Sequence, residues 1–313
     1  MKTLFRYGYV LLAITLFAAC IGQSNVKESP TAGNIKIGVD ESYQPMIEAQ
    51  IDLFEAIYHY AVINAEYGPE ADIISRILED SVRCVITNRQ FTEKEIAFLR
   101  AKSIIPKTTK IAYDGLAFIV NKANTDSTLT YAQVGEIFSG KIQTWKQLDP
   151  GNTMDSLEVI FDNNASGNPR YIREKYKIAG KFPSYCFAVN SNEDVIKYVE
   201  SNPNAVGVIS VNWISDKDDT VSMKFRKSIK VVGIGHDYDT EGEGPFVKPY
   251  QAYLAEGSYP FTREVYVINC ETFTGLGSGF AAFIAGEKGQ RVILKSGLVP
   301  ATMPIRLVQV KNN

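Results

Sequence analysis

Polar and apolar residues alternate over 34–39, which predicts a strand, and Ile47, Ile51, Phe54, Tyr58 and Val62 then recur at helical spacing. A short turn, residues 40–44, joins the two into a strand–turn–helix unit. In a second unit, residues 83–87 read as a strand, and Thr92 with Glu95 forms a capping box before a helix whose inner face carries Ile96 and Leu99. Residues 114–121 predict another strand, and Thr130 with Gln133 caps a helix running through Phe138. Residues 157–161 predict a strand leading through a Ser/Gly-containing turn into a helix over 169–176. Residues 191–200 follow as a helix and 205–211 as an apolar strand. Beyond about residue 237 the composition is loop-like, before a strand over 264–268 and helical material over 280–295. Strands alternating with helices predict the α/β class, with mostly parallel sheets flanked by helices.

The 313 residues, 45% apolar and 22% charged, are more than one small core usually takes, so two α/β lobes are expected. A net charge of −2 without any Lys/Arg run excludes the basic face that nucleic-acid affinity needs. At the start, Lys2 and Arg6 precede an apolar run over 7–17, too short to span a bilayer and built like a secretory leader. The run ends Leu16-Phe17-Ala18-Ala19-Cys20, which resembles a bacterial lipobox, in which Cys20 receives lipid and becomes the mature N-terminus. An ordinary leader with an incidental cysteine is the alternative. Residues 1–19 are therefore expected to be the leader and 20–33, rich in Gln, Ser, Asn and Gly, a flexible tether. Cys84, Cys186 and Cys270 remain, an odd number at wide spacing that excludes a full disulfide framework, and Cys84 beside Val85 and Ile86 reads as core.

In α/β sheets ligands collect at the carboxyl ends of strands, where helices begin and unpaired N–H groups point outward. Three such turns are rich in small or polar residues: Asp40-Glu41-Ser42-Tyr43, Thr87-Asn88-Arg89 and Ala165-Ser166-Gly167-Asn168. They suit an oxyanion, because backbone donors and the helix dipole need no titrating side chain, and Arg89 and Arg170 add charge-assisted hydrogen bonds. The spacing equally fits Ser42, Thr87 and Ser166 as plain helix caps and the arginines as surface residues.

The segment from Gln133 to Trp145, QVGEIFSGKIQTW, resembles the I-F-x-G-x-I-x-x-W signature of the phosphate-binding proteins that serve phosphate ABC transporters. The segments NAVGVISVNWI, EGSYPFTREVYVI and GEKGQRVILKSGLVP are similar to further motifs of that family, so the resemblance extends discontinuously over nearly the whole mature chain. It implies a two-lobed periplasmic-binding-protein fold with two hinge crossings, near 118–121 and 262–265. Lobe one is then 34–117 with 263–313, and lobe two 118–262. It also implies a monomer, lipid-anchored at Cys20 on the periplasmic side of a bacterial membrane, that captures phosphate or a similar oxyanion and passes it to an ABC permease, with no cofactor. A sensor or scaffold of the same fold with altered anion affinity is the rival, and a phosphoester hydrolase using Asp40 or Glu41 as base a more distant one.

Carried over by position, the resemblance implies ligand contacts from Ser42, Tyr43, Thr87, Asn88, Arg89, Ala165, Ser166, Gly167, Asn168 and Arg170. The family's threonine after Ser-Gly is here Asn168, its proton-accepting acid is Asn88, the arginine before Ser-Gly-Thr is Asp162, and a Ser/Gly-rich turn reads Tyr67-Gly68-Pro69-Glu70. Asp40, Glu41, Glu70 and Asp162 thus bring carboxylates to the expected cleft, where one can accept the proton of hydrogen phosphate or, alternatively, Asp162 holds Arg170 or Arg89 in position, and Arg89 and Arg170 are the expected compensating cations. Asp237-Tyr238-Asp239 starts like a calcium loop but has Lys248 at the twelfth position, and reads as a solvated acidic loop. Gly275-Leu276-Gly277-Ser278-Gly279 lacks the Lys-Ser/Thr of a P-loop and reads as a flexible entry to the helix at Phe280. With two histidines, no C-x-x-C and no nucleophile paired with a base, neither a zinc site nor an enzyme is expected.

Overall fold

The computed structural model describes residues 27–154, 156–215, 220–235 and 245–303. The leader and Cys20 lie outside the described residues, as does the acidic loop from Asp237 to Glu241. Among the described residues no helix is long and apolar enough to cross a membrane.

Ten strands form one curled sheet. On one flank β1 (Ala32–Asp40) pairs in parallel with β2 (Tyr60–Gly68) and β3 (Cys84–Thr87). At the centre the 15-residue β4 (Lys107–Asn121) runs antiparallel to the later strand β11 (Thr262–Asn269), which also pairs with β3. On the other flank β6 (Glu158–Phe161) lies parallel to β7 (Cys186–Ala188) and β8 (Ala205–Ser210), and β8 returns to β4. β4 pairs with β11 through Gly115 and with β8 from Leu116 onward, so one strand serves both flanks. Short β9 (Ile229–Val231) and β12 (Val299–Pro300) also pair with β4, while β5 (Thr128–Thr130) and β10 (Gly233–Gly235) form a separate parallel pair.

Burial explains this arrangement. Every residue of β3 and β8 is buried, the pattern of a strand covered on both faces. Ile37, Val39, Ile47, Phe54, Ile86 and Phe280 lie in one core, and Phe118, Phe138, Trp145, Phe161, Val195 and Val208 in another on the far flank. Cys84 is buried in the first, as its apolar setting implies.

Two local expectations are corrected. Val62 belongs to β2, not to the preceding helix, which ends at Ile57. Tyr60 and Val62 are exposed while Ala61 and Ile63 are buried, a period of two that the helical spacing from Ile47 concealed. The glycine run at 275–279 is not a flexible entry. The Leu276–Ala285 helix starts within it, the Glu271 carboxylate accepts the N–H groups of Gly277 and Ser278 at 2.8 Å each, and a Cβ on Gly279 would meet the Pro30 carbonyl at 1.7 Å. The helical material of 280–295 is divided at Gly286 into this helix and Glu287–Lys295.

Candidate functional site

The carboxyl ends of the parallel strands meet from both flanks. Asp40 ends β1 opposite Gly68 and Thr87 ends β3, so the turns at 40–43, 67–70 and 87–89 share one edge. From the other flank β6 delivers Asp162 and the turn to Asn168, and β8 delivers Ser210 and Asn212. Each turn starts a helix for a local reason. Asp40 accepts the Ser42 N–H at 3.0 Å, closing a tight turn at Glu41–Tyr43 before the Gln44–Ile57 helix, which has Pro45 in its first turn. Ser166 accepts the Asn168 N–H at 3.3 Å at the start of the Gly167–Tyr176 helix, and Pro69 precedes the Glu70–Leu78 helix.

These turns touch. A Cβ on Gly167 would lie 2.1 Å from Asn88 Nδ2 and 2.8 Å from Asp40 Oδ2, so the Ser-Gly-Asn turn sits directly on the other flank and only glycine fits there. The Ala71 N–H donates to the Ala165 carbonyl at 3.1 Å. Asn212 Nδ2 and Trp213 Nε1 donate to the Ser42 carbonyl at 2.5 and 3.1 Å, and the Met46 N–H donates to Asn212 Oδ1 at 3.2 Å. Asn192 donates to the Glu41 carboxylate from its backbone and its side chain.

Carboxylates dominate the contact. Asp40 accepts from Ser42 N and, at 3.3 Å, from Asn88 Nδ2. Asp162 accepts from Ser166 Oγ at 2.7 Å and Asn168 Nδ2 at 2.9 Å. Glu70 accepts Thr87 Oγ1 at 2.8 Å and Arg170 Nε and Nη2 at 2.5 and 3.0 Å, with Arg89 Nε at 3.6 Å. Burial pushes Asp40 up to about 8, aided by the charges of Glu70 and Asp162 and opposed by Arg263. Burial likewise raises Glu41 to about 7, against the hydrogen bonds from Asn192. Asp162 is raised by burial despite its bonds to Ser166 and Asn168.

All ten sequence-nominated residues therefore lie on the three converging turns or the helix that follows the last of them. Ser42, Thr87, Asn88, Ser166, Gly167 and Asn168 are buried at the contact, with Tyr43 beneath it. Arg89 forms a bidentate pair with Glu95 at 2.8 and 2.7 Å, and Arg170 reaches Glu70, Glu174 and Asn88. Sequence reasoning did not nominate Arg263 or Asp114. Arg263 on β11 is 4% exposed; its Nε donates to Asp114 Oδ2 at 2.9 Å and its Nη1 to Asn168 Oδ1 at 2.7 Å. Ser210 donates to Asp114 Oδ1 at 2.8 Å. Strand alternation sets Arg263 on the same face as Phe261 and Val265, but its partner Asp114 is 149 positions away, so no sequence signal joins the two.

Three donors at this centre are left over. Ser42 Oγ and Tyr43 Oη are buried without hydrogen-bond partners. Arg263 Nη2 lies 2.9 Å from Asp114 Oδ2, within ion-pair range, yet has no N–H aligned on an acceptor. The Arg263 guanidinium stands 5.6 Å from the centre of the Tyr43 ring. Burial works against its charge, but Tyr43, Asp114 and Asp40 outweigh it and raise its pKa.

The family model described as PBP superfamily domain matches residues 24–288. The chain is 24% identical over 276 residues to the phosphate-binding protein PstS of Bacillus subtilis (strain 168), covering 88% of this chain and 83% of that one. Its fold is similar to that of a putative phosphate ABC transporter substrate-binding protein with bound phosphate from Clostridium perfringens (23% identity, TM-score 0.72, 86% of this chain and 100% of that one). It is also similar to an ABC-type phosphate transport receptor from Vibrio cholerae (21% identity, TM-score 0.63, 86% and 100%).

Proposed function

The chain belongs to the PBP superfamily, and from that membership we infer that it is a solute-binding protein that captures phosphate or a similar oxyanion between two lobes for ABC-type import. The observation that carries this reading is the convergence of three strand-to-helix turns on Gly167, with backbone and hydroxyl donors drawn from both flanks of one sheet. The names of the relatives in Bacillus subtilis and Clostridium perfringens point to the same ligand class. In our reading lobe one comprises 34–117 and 263–313 and lobe two 118–262. Ser42, Tyr43, Thr87, Asn88, Arg89, Ala165, Ser166, Gly167, Asn168 and Arg170 frame the ligand. Residues 1–19 are removed, and Cys20 carries lipid that holds the protein on the periplasmic side of the membrane beside its permease, as a monomer with residues 20–33 as tether. Release from bacterial membranes by Cys20→Ala, read by fractionation, tests the anchor. Binding is many-point and non-covalent: closure removes water, so each donor counts for more.

A second reading is favoured by one specific observation. Ser42 N, Ser166 Oγ and the Asn168 amide already donate to Asp40 and Asp162, and Arg170 to Glu70, so the protein's own carboxylates stand where an anion's oxygens would. A groove of about 470 Å³ beside the turns is lined by Glu41, Glu48, Asp52 and Glu193, an approach that repels anions. On this reading the cleft is self-occupied and the chain works as a sensor or scaffold. Isothermal titration with phosphate, sulfate, molybdate and tungstate decides between them. Phosphate uptake that weakens in Ser166→Ala supports capture, whereas the absence of heat with all four anions supports the scaffold.

A further inference from the structure

Resting on the capture reading, we propose that Arg263 is the cation that meets the anion, acting together with the hydroxyls of Ser42 and Tyr43. The other two arginines at the turns are committed to neighbours. Arg89 gives both terminal nitrogens to Glu95, and Arg170 gives Nε and Nη2 to Glu70 and Nη1 to Glu174. Their side chains are 20% and 23% exposed, whereas that of Arg263 is 2% exposed. Only water-excluded charge acts at full strength on a small anion.

Arg263 also has capacity in reserve. Nε and Nη1 are fixed by Asp114 and Asn168, which leaves the guanidinium rigid, while Nη2 has no aligned acceptor. Ser42 Oγ and Tyr43 Oη, on the turn whose Tyr43 ring stands 5.6 Å from the guanidinium, are buried and equally unpartnered. Buried donors without acceptors are unfavourable, so one on the guanidinium and two on the facing turn mark a place where an acceptor belongs. Asp40, Asp114 and Asp162 are all raised by burial, and Asp114, paired with the guanidinium at 2.9 Å, is the carboxylate that competes directly for Arg263. Asn168 ties the guanidinium to the Ser-Gly-Asn turn, so movement of that turn adjusts the cation to its guest.

The assignment is tested by isothermal titration of phosphate into wild type, Arg263→Gln, Arg263→Lys and Asp114→Asn, with circular dichroism confirming that each is folded. Arg263→Gln is expected to weaken binding about 100-fold and Arg263→Lys about 10-fold, as loss of a buried charge-assisted contact and of its fork geometry requires. Asp114→Asn releases the guanidinium from its competitor and is expected to tighten binding about 3-fold, a gain that a damaged fold cannot produce. Arg263→Gln binding like wild type, or Asp114→Asn weakening binding as Arg263→Gln does, overturns the assignment while leaving capture intact. A wild type that takes up no phosphate overturns capture itself, and the assignment with it.

Discussion

The contact between Glu70 and Arg170 joins turns 100 positions apart in the chain, and its removal has a calculable cost. Glu70 presents a side chain 3% exposed to two nitrogens at 2.5 and 3.0 Å, and Arg170 is 23% exposed. Breaking a buried pair by removing one partner costs about 3–5 kcal/mol. Two features reduce this figure: Arg89 Nε remains 3.6 Å from Glu70, and Glu174 remains on Arg170. Partial exposure of the arginine reduces it further, so Glu70→Gln and Arg170→Gln are each expected to cost about 2 kcal/mol. Because each single change removes the same contact, the double variant should cost only about 2–3 kcal/mol, a coupling near 1.5 kcal/mol. Urea unfolding of the four proteins without added anion gives the numbers, with an unchanged m-value as the check that the denatured state is the same. A coupling below about 0.5 kcal/mol would show that the two turns are held together by something other than this ion pair, and the reasoning would fail.

Three further outcomes are expected elsewhere in the molecule. Asp40 is raised from 3.8 to about 8, so the folded protein binds more protons than the unfolded chain across that interval. Stability therefore falls as pH rises between those values; thermal melts from pH 5 to 9 should show the decline and Asp40→Asn should flatten it, and a rise in wild type would contradict the buried acid. Gly167→Ala places a methyl 2.1 Å from Asn88 Nδ2 and is expected to cost about 1–3 kcal/mol by displacing Asn88 from Asp40 and Arg170, read by chemical denaturation. Val62→Thr, on an exposed position of β2, should change stability by no more than about 0.5 kcal/mol, whereas Ile63→Thr, at a buried one, should cost several times more.

Much of this arrangement was legible in the sequence because it is local. Thr92, Thr130 and Ser166 cap the helices they precede, and such cap chemistry is written within four residues of itself, whereas Ser42 makes no capping bond and Asp40 caps its turn. The failures have physical causes too. Val62 lies four residues beyond Tyr58 and so continued a helical pattern into a strand, although Ala61 and Ile63 carry the burial. The glycines at 275–279 looked pliant because the carboxylate that organises them, Glu271, is recognisable only once the backbone N–H groups point at it. The acidic character of the contact was visible in Asp40, Glu70 and Asp162, but which donor each carboxylate claims is a matter of three-dimensional assembly. Arg263 was not nominated because its partners Asp114 and Asn168 come from two other segments; its place between Phe261 and Val265 on the alternating strand was the one local sign of burial.

The way β4 changes partners has a mechanical meaning. At Gly115 a side chain would collide with Pro249 at 2.9 Å and Leu254 at 3.0 Å, so bare backbone passes under Pro249 and the Gln251–Glu256 helix where the strand leaves β11 for β8. Since β4 is one continuous extended strand and not a loop, swinging one flank against the other demands that it flex. Such a linkage resists shear and splaying and leaves twisting along that strand as the soft motion, with a smooth bearing surface at the place where the curvature would concentrate.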